Sequence, residues 1–313
     1  MAKTVVATAF GQPADVVEVL DIPTPSPGAG QVVVTSRASA LNPIDVKTIT
    51  GAMGTNPAKL PIAIGFEASG VVSAIGEGAV NSSGRPLNVG DEVVVYRANG
   101  GLSTDILADG ADVHDKPADL PFDVAAGLLL VGVTAADTLA TAAVTASDTV
   151  LIHGGAGAVG TIAVQLAIAK GANVIATASE SNHEYLRGLG AVPVTYGEGL
   201  LERVRQAAPD GVTAAIDTVG TDEAIDVSLA VVSDPARIVS IAAFGRGDDA
   251  VLVNGSTPQS QRNRLGAIPG LLTDAAAGRL VLDVAKVFAL DDAAAALTEL
   301  AASHPRGKLI LHP

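Results

Sequence analysis

The sequence predicts an α/β protein in which a barrel-like β domain carries an inserted, doubly wound domain with a parallel sheet. Three observations predict it. Short β-branched runs separated by Gly/Pro turns fill the first third. Apolar strand-like runs alternate with helical stretches through the middle. A glycine-rich turn joins the first of those runs to the first of those helices. At ~150 residues per domain, the 313 residues suffice for two domains, each able to bury a core.

In the first third, Thr4–Phe10 reads as an opening strand. It is too short for a secretory h-region and is followed at once by Gly11 and Pro13. The run Pro23-Thr24-Pro25-Ser26-Pro27-Gly28 separates strand-like Val16–Leu20 from Gln31–Ser39. Two more strands follow at Ala68–Ile75 and Asp91–Tyr96, with turns at Gly76-Glu77-Gly78 and Asn88-Val89-Gly90-Asp91.

In the middle, Val150–His153, Val174–Ala178, Ala214–Asp217 and Ile238–Ala243 are short apolar runs of the type buried on both faces of a parallel sheet. Helical stretches lie between and beside them at Ala158–Lys170, Glu184–Leu189, Leu200–Ala208 and Thr221–Val231. From about Thr257 come two further helices and a closing strand, Lys308–Leu311. The expected organisation is 1–121 with 257–313 as one domain and 122–256 as the doubly wound one.

Asp148–His153 runs into Gly154-Gly155-Ala156-Gly157-Ala158-Val159-Gly160, and residues 155–160 satisfy G-x-G-x-x-G. The pattern gains weight from its context of strand, turn, helix and second strand. In that setting Gly155 permits the tight turn, Gly157 lets backbone approach a pyrophosphate, and Gly160 lets the helix pack on the strand. The helix N-terminus at Ala158 and Val159 offers free N–H groups and the positive end of a dipole. The alternative is a tight turn without a ligand. No nucleoside-triphosphate loop of the form G-x-x-x-x-G-K-[ST] occurs.

The tip of the second strand selects the dinucleotide. An NAD site expects Asp or Glu there, whereas this chain has Ser179-Glu180-Ser181-Asn182. The hydroxyls of Ser179 and Ser181 suit a 2′-phosphate, with Arg187 on the next helix to neutralise it. Glu180 opposes that choice by like-charge repulsion. With Ser179 at the tip and Glu180 beyond it, the expected cofactor is NADPH; a slip of one residue would favour NADH.

Composition removes several classes of function. Net charge is −14, against the basic footprint that nucleic acid requires. Cysteine is absent, which excludes disulfides, thiolate nucleophiles and Cys-ligated zinc or iron–sulfur sites. Thr149–Ala169 contains no charged residue and is long enough to span a bilayer, but Gly154, Gly155, Gly157 and Gly160 would expose backbone to lipid. The run Val124–Ala136 is shorter and again carries glycine and threonine. The chain is expected to be soluble and cytoplasmic.

Gly65-Phe66-Glu67-Ala68-Ser69-Gly70-Val71-Val72, Ile75-Gly76-Glu77-Gly78-Ala79-Val80 and Val89-Gly90-Asp91-Glu92-Val93 together resemble the medium-chain dehydrogenase/reductase pattern. Ala40-Leu41-Asn42-Pro43-Ile44-Asp45, the glycine loop, Leu186–Ala191 and Gly307–Leu311 extend the resemblance almost end to end. It implies a GroES-like catalytic domain and a Rossmann cofactor domain. In the zinc alcohol dehydrogenases of that superfamily, His follows the glycine of the G-H-E motif and Cys precedes the aspartate; here Phe66 and Asn42 stand there. His114, His153, His183, His304 and His312 show no metal spacing. The sequence thus resembles the zinc-free quinone oxidoreductase branch, with no metal expected.

Site residues follow from that resemblance. It places the Asn42 amide beside the nicotinamide and a substrate carbonyl, the other reading being a turn-former before Pro43. Asp45 reads as structural. Tyr96 reads as a proton donor or a packing residue. Thr134 in Gly132-Val133-Thr134-Ala135 is implied to contact the cofactor, or else to bond locally within a helix. Tyr196 is implied near the adenosine phosphate and Phe244 over the nicotinamide, with a core role open for Phe244. Asp217 lies at a strand end, where a helix N-cap is the commoner fate. The loop 97–105 lacks aromatic residues that many relatives carry there.

The expected function is NADPH-dependent reduction of quinones or activated alkenes and enones by direct hydride transfer. Charge arriving on a conjugated oxygen can be met by hydrogen bonds, whereas an alkoxide calls for a Lewis acid. An NADH-dependent alkenal or enoyl-thioester reductase is the alternative within enzymes. A non-catalytic NADPH-binding protein of the crystallin or sensor type is the alternative outside them. The resemblance further implies a homodimer.

Overall fold

The computed structural model describes residues 1–302 and 305–313; His304 lies outside them. The chain forms two compact units: Met1–Leu130 with Leu272–Pro313, and Val131–Leu271.

In the first unit, strand Gln31–Ala40 is the hub of a seven-stranded sheet. It pairs antiparallel with Glu67–Ile75, Asp105–Asp109 and Lys308–His312. Glu67–Ile75 pairs onward with Glu92–Tyr96, and Val284–Ala289 lies parallel to Lys308–His312. A second sheet centres on Ala2–Ala7, between Val17–Ile22 and Ile62–Ala63. The expected strand at Val16–Leu20 starts one residue late, because Pro13–Val16 form a helical turn with Pro13 at its first position. The register places Ala40 opposite Glu67, and Glu67 opposite Tyr96.

The second unit is a six-stranded parallel sheet. Its order is Val192–Thr195, Asn173–Ala178, Thr149–His153, Ala214–Asp217, Ile238–Ser240 and Val251–Leu252. In chain order this is 3-2-1-4-5-6, the doubly wound arrangement. All of Ala214–Asp217 and Val150, Leu151 and Ile152 are buried, as the short apolar runs predict. Helices Ala158–Ala169, His183–Gly188, Leu200–Ala207 and Asp222–Val231 lie where expected within a residue or two.

The strand expected at Ile238–Ala243 ends at Ser240. Its hydroxyl donates to Asp217 Oδ2 (2.6 Å) and accepts from the N–H groups of Ala242 (3.1 Å) and Ala243 (2.9 Å). The chain therefore turns before Phe244, whose ring is exposed rather than core. Val251–Leu252 is an edge strand too short to announce itself in sequence.

Phe122–Thr141 is a continuous 20-residue helix. It is long and apolar enough to cross a membrane, yet 72% of its most apolar window is buried. Its Asp137 is fully buried and accepts Ser260 Oγ, Asn263 Nδ2 (2.9 Å) and Arg264 Nε (2.9 Å). That cluster binds the start of helix Pro258–Ala276 to the second unit, which runs to Leu271. Thr149–Ala169 is strand, turn and helix.

Candidate functional site

The glycine turn lies at the carboxyl end of strand Thr149–His153, where strand order reverses, the usual crevice position in such sheets. The residue in the left-handed region is Gly154 (φ +76°), one place before the motif's first glycine, Gly155. Gly155 is required for a different reason: a Cβ there would stand 2.7 Å from that of Ala176 on the next strand. A Cβ on Gly160 would lie 2.1 Å from the Gly154 carbonyl oxygen, so only glycine lets the helix pack this closely. Gly157 is exposed, and a Cβ there would meet nothing nearer than the Gly154 oxygen at 3.3 Å.

Gly157 is also the N-cap of helix Ala158–Ala169, in extended conformation and without a side-chain cap. The first i→i−4 bond runs from Thr161 N to Gly157 O (2.8 Å), which leaves the preceding N–H groups of Ala158, Val159 and Gly160 without helical acceptors. An open glycine beside unspent donors at a dipole's positive end fits a pyrophosphate. Ala156 forms the outer part of the same turn and is half-buried.

The turn is braced from its neighbours. Gly154 N donates to Thr177 Oγ1 (3.0 Å), and Thr218 Oγ1 donates to His153 O (2.7 Å). Asp217 accepts the N–H groups of Val219 and Gly220 (both 3.0 Å), so it organises its own loop rather than capping a helix. Thr221 fills the cap role, accepting from Ala224 N. His153, buried against Ser228 Oγ (3.1 Å), is pushed down to about 4 by burial and stays neutral.

At the second strand's tip, Ser179 follows Ala178 as expected, and Glu180, exposed, begins a short 3₁₀ turn. Ser179 Oγ lies 3.0 Å from Ser181 Oγ and accepts from Asn182 Nδ2 (2.9 Å). Arg187 is exposed on helix His183–Gly188 and has no ion-pair partner among the described residues. Tyr196 is 56% exposed just past strand Val192–Thr195, and Thr134 is buried in the long helix.

The first unit holds the other group of candidates. Asn42 lies two residues past strand Gln31–Ala40 and caps helix Pro43–Ile49, with Asp45 Oδ2 accepting its backbone N–H (2.8 Å). Burial pushes the Asp45 carboxyl up to about 7. The Asn42 side chain is itself buried. Lys308 Nζ donates to its Oδ1, while its Nδ2 donates to Glu67 Oε1 (3.1 Å) and weakly to Ala40 O (3.4 Å). Lys308 Nζ also meets Glu67 Oε1 (3.3 Å), and Glu67 Oε2 accepts the backbone N–H of Leu130 (2.8 Å). Asn42 is therefore a node of a buried ion network rather than a bare turn-former. Tyr96, opposite Glu67, is buried edge-on against Phe66 at 5.6 Å.

Sequence reasoning missed Glu67 and Lys308 as site residues. The available signals were a charged residue in the run from Ile64 to Val72 and a lysine opening the apolar strand Lys308–His312. A zinc ion does not fit this arrangement. Asn42 and Phe66 are not zinc donors of the usual kind, an ammonium already neutralises Glu67, and no His/Cys/Asp/Glu group suited to a metal exists among the described residues.

Two family models match this chain: an alcohol dehydrogenase GroES-like domain over residues 28–114 and a zinc-binding dehydrogenase domain over residues 158–270. The chain belongs to the medium-chain dehydrogenase/reductase superfamily, with a GroES-like domain followed by a Rossmann-type domain. Within it, the chain is similar to the quinone oxidoreductase of Coxiella burnetii (30% identity, TM-score 0.81, covering 100% of this chain and 99% of that one). It is also similar to the Escherichia coli quinone oxidoreductase complexed with NADPH (25% identity, TM-score 0.85, covering 99% and 100%). A phthioceranic/hydroxyphthioceranic acid synthase of Mycobacterium tuberculosis is 31% identical over 310 residues; the match covers 91% of this chain, which spans only 14% of the synthase. The two solved relatives are oxidoreductases by name.

Proposed function

We propose that this chain is an NADPH-dependent reductase of quinones or activated alkenes and enones that transfers hydride directly and without zinc. The observation that carries the reading is the Asn42–Lys308–Glu67 network, where an amide stands at a position given to a metal ligand in the zinc branch and is bonded by a buried ammonium and a carboxylate. Hydrogen-bond donors suffice to stabilise charge spread over a conjugated oxygen, whereas alcohol oxidation calls for a Lewis acid.

When bound, the cofactor supplies the hydride. The chain's residues bind and orient. Gly157 and the first-turn N–H groups of Ala158, Val159 and Gly160 hold the pyrophosphate, and Ser179 with Arg187 receives the 2′-phosphate. Tyr196, Thr134 and Phe244 complete the contacts to the dinucleotide. Asn42 donates to the substrate oxygen, and Tyr96 supplies a proton. Two further proposals go with this reading: a homodimer, to be checked by sedimentation, and a cytoplasmic location.

The test is NADPH oxidation followed by absorbance over a panel of quinones and enones, with EDTA-treated protein as control. Turnover that survives EDTA supports the reading, and loss on chelation overturns its zinc-free part. Tight NADPH binding with no turnover on any acceptor favours the non-catalytic alternative. Because Glu180 is exposed beside Ser179, an NADH-dependent enoyl-thioester reductase is the second reading, and a clear NADH preference would select it.

A further inference from the structure

We propose that Lys308 is a positioning residue that, together with Glu67, locks the Asn42 carboxamide in one of its two flip states and readies its N–H for a substrate oxygen. The inference rests on the reduction reading above and adds a residue to it.

The two ends of a carboxamide are alike in shape and opposite in hydrogen bonding: the oxygen only accepts and the nitrogen only donates. Asn42 stands between an ammonium, which can only donate, and a carboxylate, which can only accept while ionised. Lys308 Nζ faces Asn42 Oδ1, and Glu67 Oε1 faces Asn42 Nδ2 at 3.1 Å. Turning the amide over would set N–H against ammonium and C=O against carboxylate in a buried setting, losing both bonds at once. The flip state is therefore dictated by charge, not by packing alone. All three side chains are at most 3% exposed, so water does not compete for them.

The lock leaves one donor weakly spent. One Nδ2 hydrogen serves Glu67, and the other is directed at Ala40 O across 3.4 Å, the outer edge of a useful bond. An oxygen acquiring negative charge is a far better acceptor than a peptide carbonyl at that range. The ammonium on Oδ1 also draws density from the amide and strengthens its N–H groups as donors. Lys308 itself is held at both ends. Glu67 anchors its head, and its stem lies along the long helix, where a Cβ on Gly127 would come within 3.0 Å of Lys308 Cγ.

The experiment compares Lys308→Met, Lys308→Arg and the double variant Lys308→Met/Glu67→Gln. The readouts are kcat, KM for NADPH, and the side-chain NH₂ signals of Asn42 in 1H–15N spectra. Lys308→Met is expected to lose roughly 10- to 100-fold in kcat with KM for NADPH unchanged, and Lys308→Arg to regain much of it. The double variant removes both charges, so no buried ion is left unpaired and the fold survives even if Lys308→Met does not. It is expected to keep the low kcat and to shift the Asn42 signals. Wild-type kcat in the double variant, or unmoved Asn42 signals, overturns the proposal. If the parent protein turns over no acceptor, the reductase reading fails instead, and the Asn42 signals alone decide whether Lys308 orients the amide.

Discussion

Gly160 and Gly154 are in contact so close that a single added carbon on Gly160 would sit 2.1 Å from the Gly154 carbonyl oxygen. Gly157, three residues earlier in the same motif, has no such neighbour. The two glycines therefore serve different ends, and substitution separates them. Gly160→Ala should destabilise the protein by ~2–4 kcal/mol, read from its urea midpoint. Gly157→Val should leave that midpoint within ~1 kcal/mol and abolish NADPH binding in a fluorescence titration. Retained binding in Gly157→Val would remove the pyrophosphate from this turn.

Arg187 and Ser179 are expected to set the cofactor preference. Arg187→Ala should raise KM for NADPH about tenfold, a loss of ~1.4 kcal/mol, and leave KM for NADH unchanged. Ser179→Asp should turn the preference toward NADH, because a carboxylate repels a 2′-phosphate and accepts a 2′-hydroxyl. Equal effects on both cofactors would show that these residues do not touch the phosphate.

Acid should weaken the fold through two buried histidines. Burial pushes His114 and His153 down to about 4, below the value of ~6.5 in an unfolded chain. Between those values the unfolded state binds more protons, so stability falls as pH drops through that window. Asp45 acts with the opposite sign. Burial raises it to about 7, so its contribution is present at low pH and lost as pH rises through 7. His153→Gln should flatten the fall in Tm between pH 6.5 and 4. Asp45→Asn should raise Tm at pH 8 relative to the parent and change it little at pH 4.

Asp148 anchors the start of the parallel sheet. It accepts from Arg237 Nη1 (2.9 Å), Thr213 Oγ1 (2.7 Å) and Thr145 N (2.7 Å). The bond from the Arg237 guanidinium, foremost, holds its carboxyl well below the usual carboxylate range. That contribution is present above pH ~4 and disappears as acid protonates the group. Asp148→Ala should lower stability by ~3 kcal/mol at pH 7, and Asp148→Asn by less, since an amide oxygen still accepts. Denaturation at pH 7 and pH 3 checks both, with the difference between parent and variant shrinking at the lower pH.

Much of the second unit was legible in sequence because its signals are local. Val150–His153, the glycine turn and the helix after it lie within some twenty residues, and each step restricts its neighbours. The placement of Ser179 at a strand tip followed from the end of an apolar run. The end of strand Ile238–Ser240 was not legible. Residues 238–243 are uniformly strand-like, and the stop is set by the hydroxyl of Ser240 bonding Asp217 on the adjacent strand. Nor was the positive φ at Gly154 legible, since the motif does not specify backbone angles.

By itself the sequence determined the alternation of strands and helices, the glycine turn between the first strand and helix of the second unit, and the lack of thiolate and paired-histidine ligands. These depend on residue type and short spacing. Only the tertiary structure decided that Lys308 and Glu67, 241 residues apart, share one buried site with Asn42, and that Asp137 holds Arg264. Such partners are chosen by the fold's register, which brings distant strands side by side. Once buried, an ion must find its counter-charge there, and nothing in the local sequence names which one it will be.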